Sequence, residues 1–198
     1  LSASENLQAL PAGGYRAAKH QSRLWNDYHR VQVRGVKVKH FGKKVRYKGL
    51  RFDSEKERDF FIRYIESSGY KYKIHPHYKV VDKFPVGGLN QHGITYAPDF
   101  VVYGADGEVA HVYDVKSGIN QNAVSRASKL RFKLFMLRTG IPVEVVVPRK
   151  HDFKMKLYGF TTTFQDVHIR KNRKGKVVKQ SYDIFKTIDY DVYELIGK

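Results

Sequence analysis

Two apolar runs on either side of Gly104-Ala105-Asp106-Gly107 constrain this chain more than any other stretch. An Asp-Gly pair takes up positive φ readily, and tight turns between antiparallel strands need that geometry. Residues Tyr96–Tyr103 and Glu108–Ser117 are therefore expected to form a hairpin. Val109, Val112, Tyr113 and Val115 crowd the second run, which reads as a strand covered on both faces and hence internal to a sheet.

The flanking patterns extend that sheet. Ser54 opens a helix whose Phe60, Phe61, Tyr64 and Ile65 form an apolar stripe, and Ser67-Ser68-Gly69 closes it. Tyr70–Val81 is a strand region broken at His75-Pro76-His77, and Phe84–Gly93 reads as a glycine-containing loop. Asn122–Arg138 has a helical pattern stopped by Gly140 and Pro142, and Val143–Val147 is a short, largely apolar strand. The order helix, three strands, helix, strand predicts an α/β fold with a mixed central sheet flanked by helices. Residues 1–45 read as a basic arm with short strands where Val31, Val33, Val36 and Val38 alternate, and with an aromatic cluster of Leu24, Trp25 and Tyr28. Residues 46–150 form the core, and 151–198 a basic C-terminal extension packed on it, with a protruding hairpin around Gly175.

Charge points to the class of partner. The chain has 37 Lys and Arg against 19 Asp and Glu, a formal charge of +18 over 198 residues. A folded domain this basic favours a polyanion, foremost nucleic acid, because each neutralised phosphate releases condensed counterions. No apolar run is long enough to span a bilayer. The absence of cysteine excludes disulfides and thiolate metal sites and fits a reducing cytoplasm. The chain opens Leu1-Ser2-Ala3-Ser4, with neither an initiator Met nor the apolar core of a signal peptide, and its natural start is left open.

The residues that carry chemistry are Pro98-Asp99 and, after fourteen intervening residues, Asp114-Val115-Lys116. Alternate residues of a strand share a face, so Asp114 and Lys116 point together while Val115 points away. Buried ionised groups are costly unless they pair or bind metal. The hairpin brings Asp99 beside Asp114, and a divalent cation relieves the repulsion between two converging carboxylates. Magnesium or manganese, held by Asp99, Asp114 and the Val115 carbonyl, suits that donor set. Lys116 would orient or deprotonate the attacking water and stabilise charge on a phosphate. Glu57 lies on the apolar face of the first helix and has two readings: a capping box with Ser54, or a third acid of the site.

At this point the residues resemble a known family. Tyr96-Ala97-Pro98-Asp99-Phe100 followed by Val112-Tyr113-Asp114-Val115-Lys116-Ser117-Gly118 resembles the signature of the PD-(D/E)XK nucleases, and is similar to the motif region of phage junction-resolving endonucleases. Tyr47-Lys48-Gly49-Leu50-Arg51-Phe52-Asp53-Ser54-Glu55-Lys56-Glu57 resembles the start of a small phage and prophage nuclease-like family. The resemblance implies a restriction-endonuclease-like core and hydrolysis of DNA to 5′-phosphate and 3′-hydroxyl ends. It makes Glu57, Asp99 and Asp114 metal-site carboxylates and Lys116 the catalytic lysine. Asp114 stands where many members have Glu, and Glu55 is an alternative to Glu57 as the helical acid. Branched DNA or a Holliday junction is the substrate the resemblance favours, nicking or duplex cleavage the alternative, and a bacterial host's cytoplasm the setting. A homodimer suits cleavage of two strands.

Further basic groups suit DNA contact. Arg126, Lys129 and Lys133 share one face of the second helix, and Arg170, Lys171, Arg173 and Lys174 surround the turn of the C-terminal hairpin. Histidines 75, 77, 92 and 111 match no familiar zinc spacing and read as ordinary structural residues. The rival function is a non-catalytic nucleic-acid-binding module on the same fold; a third is an RNA- or ribosome-binding protein.

Overall fold

A computed structural model describes residues 42–120 and 122–197. The expected arm, with its alternating valines and Trp25, lies outside the described residues. A short hairpin of β1 (Val45–Tyr47) and β2 (Leu50–Phe52) leads into helix α1 (Glu55–Phe60), which continues as a π-helical turn, Phe61–Ile65, and a 3-10 turn, Glu66–Ser68. Gly69 ends it at φ 76°, a left-handed position that glycine takes up without a Cβ clash. Strands β3 (Lys71–Ile74), β4 (Tyr78–Val81), β5 (Phe84–Val86), β6 (Leu89–Gln91), β7 (Ile94–Tyr96), β8 (Phe100–Tyr103) and β9 (Val109–Val115) follow, then helix α2 (Arg126–Thr139). The chain finishes with β10 (Glu144–Pro148), β11 (Phe153–Leu157), β12 (Val167–Lys171), β13 (Val177–Ser181), β14 (Asp183–Phe185) and helix α3 (Val192–Ile196).

Six strands form the central sheet in the order β14-β11-β10-β9-β8-β3. Only β9 and β10 pair in parallel, joined by the crossover through α2; the other neighbours are antiparallel. The fold is α/β with a mixed sheet and few helices. Among the described residues no helix is long and apolar enough to cross a membrane.

Side-chain alternation divides the core into two layers. Phe100, Val102, Tyr113, Val115, Val146, Phe153, Met155 and Leu157 face α1 and its continuation, which supply Phe60, Phe61, Tyr64 and Ile65, together with Ile188 and Val192 from the C-terminal region. Val101, Val112 and Val145 face the other way, against Phe132 and Phe135 of α2 and against Tyr96 and Val80. A helix of six residues is too short to persist alone. Burial of its aromatic face, at roughly 1.5–3 kcal/mol per large side chain, is what holds it.

Three expectations need revision. The Phe84–Gly93 segment is a hairpin, because Gly87 and Gly88 both take positive φ, +57° and +82°, as a two-residue turn between strands requires. Tyr96–Tyr103 is two strands, β7 paired with β4 and β8 in the main sheet, with the Pro98-Asp99 pair between them. The segment after residue 150 is more than a cover: β11 and β14 continue the sheet, and Phe153, Met155 and Leu157 belong to its core. The basic turn around Gly175 does sit on a hairpin, β12–β13, anchored where His168 stacks on Tyr182 at 3.9 Å.

Candidate metal centre

One end of the sheet gathers the acids. There β3 ends, β8 begins and β9 ends, as the register Ile74↔Phe100↔Tyr113 shows. Asp99 immediately precedes β8, Asp114 is the penultimate residue of β9, and α1 begins nearby with Ser54 as its N-cap.

Glu57 caps its helix, and the same carboxylate lies among the acids of this end of the sheet. Its Oε1 accepts from Ser54 Oγ at 2.9 Å, its Oε2 accepts from the Asp53 amide at 2.9 Å, and its own amide donates to Ser54 Oγ at 3.2 Å. This reciprocal cap satisfies donors at the helix start. The same carboxylate, only 6% exposed, lies 3.3 Å from His75 Nε2 through Oε2. Capping thus fixes the acid that faces the site.

His75 is the residue sequence reasoning set aside. It stands at φ +48° in the break after β3, with its amide donating to the Asp99 carbonyl at 3.1 Å and its Nε2 3.9 Å from Asp99 Oδ1. One ligand atom from each of Glu57, His75 and Asp99 lies within 4.8 Å of the other two. The available signal was the His75-Pro76 break beside a strand end, a place where a side chain turns out of the sheet. His77 and His92 do not join this group, and Glu55 is exposed in the adjoining cleft.

Asp99 and Asp114 are held by different atoms. The Val115 amide donates to Asp99 Oδ2 at 2.5 Å, tying the start of β8 to the end of β9. Asp114 receives the Tyr96 hydroxyl at 3.2 Å on Oδ2 and forms an ion pair with Lys116 through Oδ1. That buried Oδ1 has no hydrogen-bond partner beyond the ion pair among the described residues. Lys116 Nζ also lies 3.4 Å from the Val115 carbonyl.

The electrostatics follow from crowding. Burial first, then the nearby Asp114 charge, pushes the Asp99 carboxyl well above the usual carboxylate range, with Lys116 only partly offsetting them. Burial likewise raises Asp114 despite Lys116. Burial alone would lower Lys116, but Asp114 and Asp99 outweigh it and keep the ammonium charged. The group is short of positive charge, a deficit a divalent cation would fill. Beside it a cleft opens between the start of α1 and the segment after β9, lined by Lys43, Glu55, Lys56, Glu57, Lys116 and Asn122.

The four sequence-selected residues Glu57, Asp99, Asp114 and Lys116 therefore meet at one place, together with His75. Arg126 and Lys133 are exposed on α2, while Lys129 is half-buried over the Tyr158 ring at 5.1 Å. Arg170, Lys171, Arg173 and Lys174 are exposed at the tip of the β12–β13 hairpin.

Residues 37–179, a span that includes every residue of this centre, match the family described as a protein of unknown function, DUF1064. The chain belongs to the DUF1064 family. Comparison with curated proteins and with solved structures finds no match.

Proposed function

We propose that this DUF1064 protein is a metal-dependent DNA endonuclease of the PD-(D/E)XK type. The observation that carries the reading is the convergence of Glu57, Asp99, Asp114 and Lys116 at one sheet end, where burial holds both aspartates above their ordinary range although Lys116 pairs with Asp114. The succession α1, β3, β8, β9, α2, β10 and the neighbour order β3-β8-β9-β10 support a restriction-endonuclease-like core.

Asp99, Asp114, Glu57 and the Val115 carbonyl would hold magnesium or manganese. His75 adds an imidazole that suits manganese better than magnesium. The cation, when bound, polarises the phosphate and activates water. The chain's own residues do the rest. Tyr96 fixes the rotamer of Asp114 by its hydrogen bond. The Val115 amide fixes Asp99. Lys116 would supply positive charge where a pentacoordinate phosphate becomes more anionic, and its ammonium could donate a hydrogen bond to the attacking water. Attack by water would form a new P–O bond and break the P–O3′ bond; the water gives up a proton to solvent, the leaving 3′ oxygen takes one up, and the phosphate remains on the 5′ end. Branched DNA is the preferred substrate, a proposal that rests on resemblance to junction-resolving endonucleases.

One observation favours the rival reading, a non-catalytic nucleic-acid-binding module: Lys116 is paired directly with Asp114, so the group already carries part of its own counter-charge. Incubation with linear, nicked, forked and four-way DNA, in magnesium, manganese and chelator, separates the two. The nuclease reading expects metal-dependent products bearing 5′-phosphates; binding without cleavage in either metal would leave the module.

A further inference from the structure

A second concave site, outside the metal centre, has a wall with donors and no carboxylate. It sits between the end of β11, the loop that follows it and the end of β13, lined by Lys156, Tyr158, Thr162, Thr163 and Ser181, with no Asp or Glu in its wall. Lys156 Nζ donates to the Ser181 carbonyl and to Ser181 Oγ, both at 2.8 Å. One of its three N–H groups therefore remains, and the Ser181 hydroxyl, acting as acceptor there, keeps its own proton to give. The Thr162 and Thr163 hydroxyls take no hydrogen bond among the described residues. Lys129 approaches from α2, and the two ammonium groups lie 5.1 and 5.5 Å from the centre of the Tyr158 ring.

Burial, and secondarily the Lys129 charge, lowers the affinity of Lys156 for its proton, and no acid opposes either effect. Two ammonium groups brought together without a carboxylate are costly unless an anion joins them. The chemistry of that anion follows from the donors. Lys156, Lys129 and three hydroxyls approach from several directions, which a planar carboxylate meets poorly, whereas the tetrahedral phosphorus of a phosphodiester sets two anionic and two ester oxygens out of one plane. Position ties the pocket to the centre. The Tyr158 hydroxyl donates to the Ile119 carbonyl at 2.5 Å, and Ile119 lies in the segment that leaves Lys116 at the end of β9.

We infer that the pocket of Lys156, Ser181, Thr162 and Thr163, with Lys129 at its rim, binds a backbone phosphodiester of bound nucleic acid away from the bond that is cut. The inference rests on the nucleic-acid reading of the protein but not on cleavage. It makes the turn after β11 a register point, where a non-scissile phosphate fixes the strand relative to Asp99 and Asp114.

The test is fluorescence anisotropy of labelled duplex and four-way DNA in chelator over a salt series, for the parent, Lys156→Met, Lys129→Met and the double variant Thr162→Val, Thr163→Val. Each lysine variant should bind roughly three- to tenfold more weakly at moderate salt, with a salt slope shallower by up to about 0.9, the value of the one phosphate contact the two lysines share. The threonine variant should weaken binding while keeping the parent's slope, because it removes hydrogen bonds and no charge. Thermal melts run alongside establish folding, and the threonine variant, which changes only exposed hydroxyls, keeps the test decisive if Lys156→Met unfolds. Parent-like affinity and slope in the folded variants would overturn the assignment. So would a Lys156-dependent rise in melting temperature with inorganic phosphate in the absence of any effect on DNA, which would assign the pocket to a small phosphate instead. Cleavage is scored separately: a parent that does not cut, but whose Lys156 variant loses DNA affinity, retires the nuclease reading and keeps this pocket.

Discussion

Strand β9 carries two buried polar clusters whose anchors, His111 and Asp114, are three residues apart in sequence, and they are finished differently. Around His111 both oxygens of the buried acid have hydrogen-bond partners. Glu144, with no exposed surface, meets His111 Nδ1 at 3.0 Å through Oε1 and receives the Tyr190 hydroxyl on Oε2, while Tyr113 donates to Tyr190 at 3.2 Å. Burial keeps both phenols well above their ordinary range, so they stay protonated donors. Around Asp114 the balance is left open: an acid oxygen has only an ion pair, a second acid is crowded against it, and a cleft leads to solvent. The first arrangement is complete without any addition and suits a structural role. The second is completed only by something from outside.

That contrast can be broken most sharply by cleavage assays. Asp99→Asn and Asp114→Asn should reduce metal-dependent cutting to the chelator background while DNA affinity in chelator stays equal or rises, because negative charge has left the path of the phosphate. Lys116→Ala should cost on the order of 10²–10³ in rate and also weaken binding slightly. Parent-rate cutting by the folded asparagine variants would remove the centre from the mechanism.

Glu144→Ala tests the closed cluster. Removing one partner of a buried charged network should cost about 3–5 kcal/mol in urea unfolding, yet the folded fraction should bind and cut as before. A loss below about 1 kcal/mol, in the range of an exposed pair, would show that the network is not the structural anchor described here.

The third effect is smaller and depends on ligand. Magnesium or manganese at a hundred times its dissociation constant should stabilise the parent by about 2.7 kcal/mol, and should add little to Asp99→Asn or Asp114→Asn. Equal shifts in all three proteins would place the cation elsewhere.

The smallest effect is on pH. Both aspartates bind protons more tightly in the folded, metal-free chain than in the unfolded one. The stability they contribute is complete below the ordinary carboxylate range near pH 4 and is lost as pH rises through their raised folded values, at about 1.4 kcal/mol per tenfold difference in proton affinity. Metal-free protein should therefore weaken from this source as pH rises above about 4, and Asp99→Asn should flatten that trend. A parent and variant with superimposable pH–stability curves in chelator would contradict the crowding described at the centre.

How much of this was legible beforehand depended on range. The Asp106-Gly107 turn and the alternation of Asp114 with Lys116 are local properties, so the hairpin and the shared face could be read directly. Ser54-x-x-Glu57 supported two readings; the structure shows the cap and also sets the same carboxylate beside His75 and Asp99, a combination no spacing rule anticipates. His75 was passed over because its role comes from a positive-φ break that turns it toward residues 18 and 24 positions away in the chain. Gly87-Gly88 did carry a hairpin signal that composition alone disguised as a loop. The alternation Phe153, Met155, Leu157 with Lys154 and Lys156 likewise marked a sheet strand, but the basic character of the segment suggested an appendage.

The Val115 amide, which binds Asp99 directly, also gives the centre an observable of its own. An amide proton donated to a carboxylate is expected downfield of ordinary amides. Its chemical shift would follow the ionisation of Asp99 and any cation that drew the carboxylate away, so one resonance would report the charge state of the centre without substrate, label or turnover.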